Sequence, residues 1–487
     1  MRTAALSSPR SPRSPGSPGS PAPLLRPHLP VWLVVAMACL ASFMVVMDGS
    51  IVNVALPVMQ RDLLLSHEAQ QWVIDAYLLS FGGCMLLAAR MGDIYGRRPV
   101  LLAGLFVFTL SCLIGGLATN AAFLLAARAL QGVGAAVLAT SSMTLVMAAT
   151  HHDKQARASA LSLWAALNSA GFALGVVIGG LLTQGAGWRW VMFVNVPVGA
   201  LLMVGVALSL LAPAARAARP MLDVPGALAS TLGSAALVFG ITQSTAMGWG
   251  SPMVLGALAA AVALFVLFIA VERRSSSPLV RLSIFRLPGL GAGNLLMLCL
   301  GALLGAAVYL ISTTLQQVAG FSPRETGLAM LPMGLALAAA RLVFTKMMGA
   351  GGAQHLPLWG ALLAAAGLAW LGLLPAQAAF IPHVLGPTLM VGAGLGMVIL
   401  KATHAVTSGV PLQDAGLASG LANTARQLGG ALGVAALATL VGAVAQGQPV
   451  GTSAAAALLA GAHAAFFGAA SLAVLCGLIS LRLRQNA

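Results

Sequence analysis

Charge is the first scarcity. Charged side chains make up only 7% of the 487 residues, and the ten acids stand against 25 Lys and Arg. A water-soluble domain carries about 25% charged and about 45–50% apolar residues. Here 59% are hydrophobic, which excludes a soluble globular fold. Lysine is scarcer still: Lys154, Lys346 and Lys401 are the full set, and none follows a glycine. A phosphate-cradling G-x-x-x-x-G-K-[ST] loop is therefore excluded, and with it an ATP-driven pump built on one. Cys39, Cys84, Cys112, Cys299 and Cys476 lie in apolar stretches without C-x-x-C or Cys/His ligand spacing. They read as small packing residues, and no metal site is expected. The formal net charge of +15 is spread thinly, unlike the basic patch of a nucleic-acid binder. His151 and His152, beside Asp153, read as a solvated turn rather than metal ligands, and an enzyme is not expected.

What is present is apolar helix. Residues 1–30 form a Ser/Pro/Arg tract that reads as a disordered cytoplasmic tail. The stretch after it is too long for a signal-peptide core and lacks a small-residue cleavage site, so it reads as a retained span. Spans of about 20 apolar residues are expected at 31–56, 72–89, 99–119, 122–149, 158–184, 190–211, 222–246, 252–272, 287–315, 325–345, 357–376, 380–400, 416–446 and 457–481. With the N-terminus inside, 19 of the 25 basic residues fall on inner segments, and Arg61, Arg189 and Arg324 fall on outer loops. Arg128, Arg341 and Arg426 lie within spans. The positive-inside rule thus places both termini in the cytoplasm. Trp72, Trp188, Trp190 and Trp249 then fall near the outer interface, as an aromatic belt would.

A G-x-x-x-G-V pattern at Gly171 in span 5 recurs at Gly429 in span 13, an offset of 258 that also carries Val31, the start of span 1, to Gly289, near the start of span 9. Two six-helix halves, 31–211 and 287–487, separated by two extra helices within 212–286, are the expected arrangement. Repeated halves are a common construction among secondary transporters.

An ionised side chain in the hydrocarbon costs roughly 2.5–3.5 kcal/mol even on a lenient scale, which makes such residues functional candidates. Asp48 lies nine residues, about 13 Å, below an outer end of span 1 at Pro57, and Arg128 about 9 Å below the same surface. Two readings stand side by side. The pair is a buried ion pair that fixes helix register, or Asp48 is a carboxylate that loads and releases a proton as its surroundings alternate. Asp75, about one turn inside span 2, reads as an outer vestibule charge that would favour cationic cargo, or as a proton carrier. Arg426, with Asn423 and Gln427, is a substrate or counter-ion contact, or a donor to backbone carbonyls. The inner loop from Arg90 to Pro99 holds Gly92, Asp93, Gly96, Arg97 and Arg98. It either orients the chain by charge or acts as a latch released when the halves rock. The 258 offset takes Asp48, Asp93 and Arg128 to Ala306, Gly351 and Gly386, so proton handling is expected in the first half.

These segments resemble the fourteen-helix drug:proton antiporters of the major facilitator superfamily, the EmrB/QacA group. The likeness is carried by D-G-S-I-V-N-V-A-L-P from Asp48, Q-W-V-I-D-A-Y-L-L from Gln71 and G-D-I-Y-G-R-R from Gly92. It continues through R-A-L-Q-G-V-G-A-A from Arg128, G-F-A-L-G-V-V-I-G-G from Gly171, W-R-W-V-M-F-V-N-V-P from Trp188 and S-G-L-A-N-T-A-R-Q-L-G-G from Ser419. Departures are Val176 where proline is usual, Ala89 for the first loop glycine, Asp75 where threonine is usual, and Arg341 in a segment usually uncharged.

The resemblance implies the major facilitator fold and proton-coupled export of drugs or other amphiphilic small molecules by alternating access. Asp48 and Arg128 would couple protons; the candidates for the substrate cavity, read from the residues themselves, are Asn53, Asp75, Gln131, Asn423, Arg426 and Gln427. Gly92, Asp93, Gly96, Arg97 and Arg98 would form the gating loop, and Gly171, Gly175, Gly179 and Gly180 the span-5 antiporter motif. The expected setting is the cytoplasmic (inner) membrane, with a small amphiphilic substrate, protons and the lipid bilayer as partners. No cofactor beyond the proton gradient and no nucleic acid are expected, and the protein is expected to be a monomer, with any accessory export protein left open. Rival readings are export of a self-made metabolite or lipid, and a non-transporting membrane sensor or scaffold.

Overall fold

The computed structural model describes residues 30–150, 153–209, 223–275, 278–287, 289–348, 355–407, 410, 415–449 and 451–482. The tail and the His151–His152 pair lie outside them. All regular structure among the described residues is helical: α1 (Val31–Asp62), α2 (His67–Tyr95), α3 (Arg97–Gly116), α4 (Ala121–Ala149), α5 (Lys154–Gly185), α6 (Arg189–Phe193), α7 (Asn195–Ser209), α8 (Val224–Met247), α9 (Pro252–Arg274), α10 (Leu290–Gln317), α11 (Pro323–Met348), α12 (Leu356–Leu371), α13 (Gly386–Thr407), α14 (Ala415–Gln446) and α15 (Ala454–Arg482), with short 3-10 and π turns at Leu282–Arg286 and Phe380–Leu385. Thirteen segments are long and apolar enough to cross a bilayer, with α6 and α7 counting as one, and the 16-residue α12 supplies a fourteenth, shorter one. The chain is a multi-pass, all-helical membrane protein.

Side-chain caps set several starts. Ser66 accepts from the Ala69 N–H, Asn120 from Phe123, Asp153 from Gln155 and Ala156, and Asp223 from Gly226. Each satisfies a helical N–H that has no partner within its own helix.

Four local expectations are corrected. Span 1 does not stop at Pro57 but continues to Asp62. Proline has no N–H and leaves the carbonyl four residues earlier unbonded, and that carbonyl, of Asn53, accepts from the Ser312 hydroxyl of α10 at 2.8 Å. The loop between spans 2 and 3 is nearly absent: α2 runs to Tyr95 and α3 starts at Arg97, leaving Gly96 with φ +94° as the hinge. Only glycine takes that conformation without steric cost. Span 6 breaks at Val194, where Pro197 deprives the Phe193 carbonyl of its helical donor. Trp188 is not part of an interfacial belt. It is 2% exposed, and its indole donates to Asp62, which Arg189 also meets at 2.7 Å.

Glycine fixes how the halves are built. A Cβ on Gly175 or Gly179 would strike Ser50 or Ile51 of α1 and one on Gly171 would crowd Phe43, so these residues let α5 lie directly on α1. Gly429 and Gly433, the counterparts of Gly171 and Gly175 at the 258 offset, place α14 against Leu298 and Ala302 of α10 in the same manner. Gly180 turns the other way, onto Pro323 and Arg324 of α11. Helix α5 therefore packs on α11 across the middle of the molecule, and α14 packs on α2. Helices α8 and α9 pair with each other, α8 reaches α2 and α14, and α9 buries only Val254, Ala261 and Glu272.

Hydrogen bonds tie the two sides together at the end where α1 finishes and α2 begins. Besides Ser312 to Asn53, Gln316 donates to the Val54 carbonyl at 2.9 Å, Gln317 to the Gln60 side chain at 2.8 Å, and the Arg324 N–H to Gln184 at 3.2 Å.

Candidate functional site

Three helices and a break converge on one carboxylate. Asp48 of α1, Arg128 and Gln131 of α4, and Asn195 at the start of α7 are each no more than 1% exposed. Arg128 Nη1 lies 2.9 Å from Asp48 Oδ2. Asp48 Oδ1 accepts from Gln131 Nε2 at 2.8 Å and from Asn195 Nδ2 at 2.9 Å. The arginine has other partners too: Nε donates to the Val73 carbonyl at 3.0 Å, Nη1 donates to Gln131 Oε1 at 2.6 Å, and the guanidinium lies 4.2 Å from the centre of the Tyr77 ring. Tyr77 in turn donates to the Val45 carbonyl at 3.3 Å, and Cys112 receives a 2.9 Å contact from Gln131.

Burying two charges is tolerable only when remaining lone pairs and protons also find partners. Both do here. The arrangement holds a carboxylate with one guanidinium and two amide donors, while the guanidinium keeps a carbonyl, an amide oxygen and an aromatic face independent of Asp48. Loss of charge at Asp48 would thus leave Arg128 still held, which a two-state proton site requires and a simple register lock does not.

The other expected site residues scatter. Gln131 belongs to the charge network around Asp48. Asn53 turns back on α1, donating to the Gly49 carbonyl at 2.8 Å. Asp75 departs most from expectation: it is 0% exposed, neither carboxyl oxygen has a partner among the described residues, and it stands at no outer vestibule. Asn423 bonds the Ser419 carbonyl at 3.2 Å, Gln427 is buried against Gly82 of α2, and Arg426 is half-buried. In the gating segment Arg97 donates to the Thr144 carbonyl at 3.2 Å and Arg98 to the Ala207 carbonyl at 2.6 Å, clamping α3 to α4 and α7. Gly92 has open space where a side chain would stand. The side chain of Asp93 lies outside the described residues, so the latch has no described acceptor. Sequence reasoning missed Asn195, Tyr77 and Cys112. Asn195 carried a usable signal, an amide inside an apolar span two residues before a proline.

Comparison with known proteins gives a consistent result. A family model described as Major Facilitator Superfamily matches residues 38–434. The chain is 40% identical over 416 residues to the cephamycin export protein CmcT of Amycolatopsis lactamdurans, covering 85% of each. It is 37% identical to the puromycin resistance protein pur8 of Streptomyces alboniger, over 82% of this chain and 80% of that one. A third relative is the tetracenomycin C resistance and export protein of Streptomyces glaucescens, 34% identical over 84% of this chain and 76% of that one. Among solved structures, a point mutant of the peptide transporter POT in complex with sulfate aligns with TM-score 0.65 and 14% identity over 93% of this chain and 94% of that one. The human organic anion transporter MFSD10 (TETRAN) aligns with TM-score 0.60 and 18% identity over 93% of this chain and the whole of the other. At such identities the structures speak for the fold alone.

Proposed function

Because the chain belongs to the major facilitator superfamily, we propose that it is a proton-coupled exporter of small amphiphilic molecules of the antibiotic type. The named relatives export or confer resistance to such compounds. The observation that carries proton coupling is the enclosed Asp48–Arg128 pair with its amide donors. An ionisable residue inside a membrane bundle costs stability, a cost that a proton-moving role accounts for. In one state Asp48 is an ionised partner of Arg128. In the other it carries a proton while Arg128 rests on Val73, Gln131 and Tyr77, and the halves exchange which face is open.

The orientation follows from the excess of basic residues on one side: both termini lie in the cytoplasm and the protein sits in the cytoplasmic membrane. The bonded end, where Gln317 meets Gln60, is then the outer end, and the structure is closed to the outside. The proton gradient is the energy source, no cofactor is needed, and the working unit is one chain with its cargo, protons and lipid.

Asp48→Asn tests the reading, because it keeps the side chain's shape and removes the titrating proton. In liposomes with an imposed pH gradient the variant is expected to lose uphill export, to below about one tenth of wild type for loss of one essential proton carrier, while still inserting and binding cargo. Undiminished uphill export by this variant overturns the proton role of Asp48.

A further inference from the structure

The charges on the two sides of the molecule do not balance. In the first half Asp48 is neutralised by Arg128, and Asp75 is sealed from any accessible space. From residue 287 onward the sequence has only two acids. Glu325 sits at the start of α11, bound to Ser322 at 2.8 Å, and Asp414 lies outside the described residues. Yet α11 and α14 carry Arg341 and Arg426 into the bundle. Arg426 lies about 16 Å along α14 from its start at Ala415, where the backbone of α14 touches Gly301 of α10.

The Arg426 guanidinium has no hydrogen-bond or ion-pair partner among the described residues, and the residue as a whole is half-buried. Beside it on α14, Gln427 packs on Gly82 of α2 and the Thr424 hydroxyl donates to the Gly82 carbonyl at 3.2 Å. Arg426 therefore stands where helices of both halves converge, with Arg341 adding charge of the same sign. Arg341 also reaches Ser169 of α5 at 3.4 Å. A guanidinium carries five N–H donors in a planar fork matched to a carboxylate. Leaving such a group unpaired within a membrane bundle is costly, and a second cation nearby adds to that cost.

We propose that Arg426 is the recognition site for a negatively charged group on the cargo, and that the exported class is amphiphilic organic acids. The carboxylate of the cargo docks on the fork of Arg426 in the positive field of Arg341, and its apolar body lies along the helices around it. Tyr77, whose ring holds Arg128 of the proton site, belongs to α2, the helix on which α14 packs. This inference rests on the export reading only in that the cargo enters between the halves. It reverses the cationic preference that Asp75 suggested in the sequence, because Asp75 presents no surface to a cargo.

The test uses a matched fluorescent pair, 1-pyrenebutyrate and its neutral carboxamide, binding to the purified full-length protein. Wild type is expected to prefer the acid. Arg426→Gln is expected to weaken acid binding at least about tenfold, the scale for removing one partner of a desolvated charge pair, and to leave amide binding unchanged. No preference in wild type, or a preference that survives in R426Q, overturns the proposal. A measurement on unaltered protein guards against a variant that fails to fold. The acid, and not the amide, is expected to protect Arg426 from phenylglyoxal, read by peptide mass spectrometry, and absence of protection overturns the proposal. Transport under a pH gradient separates the two readings. A protein that binds the acid through Arg426 but moves neither probe loses the exporter reading and keeps the site, whereas unchanged acid-to-amide transport in R426Q keeps export and loses the site.

Discussion

Asp75 shows how a residue's type and its surroundings can point in different directions. Near the start of an apolar span, an acid suggests access to water, but α2 begins at His67, eight residues earlier, and buries it completely. A buried carboxyl group with neither oxygen bonded is a cost of about 1–3 kcal/mol relative to a satisfied one. Asp75→Leu, of similar volume and without polar atoms, is therefore expected to raise the apparent melting temperature of the detergent-solubilised protein. A lowered one would show that the carboxyl is bonded in a conformation other than this one. Asp75→Thr is likewise expected to leave the export ratio of a matched cationic and neutral pair unchanged. Asp48 and Arg128 were legible as partners because charges are so few that depth along the helices sufficed to match them. Asn195, Tyr77 and Cys112 were not, since neutral polar side chains do not disturb the hydropathy of a span and their role lies in which atoms they meet.

At the scale of elements, hydropathy located each span, but long-range contacts decided where spans end. Helix α1 passes Pro57 because Ser312, far away in sequence, bonds the carbonyl that proline releases. No local pattern announces that bond. The glycine repeat was legible as a repeat, and the structure supplies its cause, the direct approach of α5 to α1 and of α14 to α10. Gly175→Val is expected to be damaging, because even a Cβ would overlap the Ser50 hydroxyl and lie 2.8 Å from the Met47 carbonyl. Overpacking of this kind costs about 1–3 kcal/mol, read as a lower melting temperature. Gly92→Ala, at a position with open space, is the control and is expected to be neutral. Equal effects at the two positions would remove the packing explanation for the glycine motif.

For the whole molecule, the halves were visible in the 258-residue offset, whereas the state of the transporter was not, because both faces of an alternating bundle are written in one sequence. The feature of the structure that bears on the state is the set of ties at the α1–α2 end. Gln60 and Gln317 meet there at 2.8 Å, and Gln316 reaches Val54 beside them. If transport requires this end to part, holding it shut must stop transport without harming the fold. Cysteines introduced at positions 60 and 317, in a chain whose five native cysteines are replaced, are expected to be joined by a short bifunctional thiol reagent carrying a cleavable disulfide. Export in liposomes should then cease, return on reduction, and remain normal in either single-cysteine control. Cargo binding from the cytoplasmic face should persist in the joined protein, since the ties seal only the opposite end. A joined protein that exports at the unjoined rate would mean that the bonded end does not open during the cycle, and alternating access would have to be sought along another seam of the bundle.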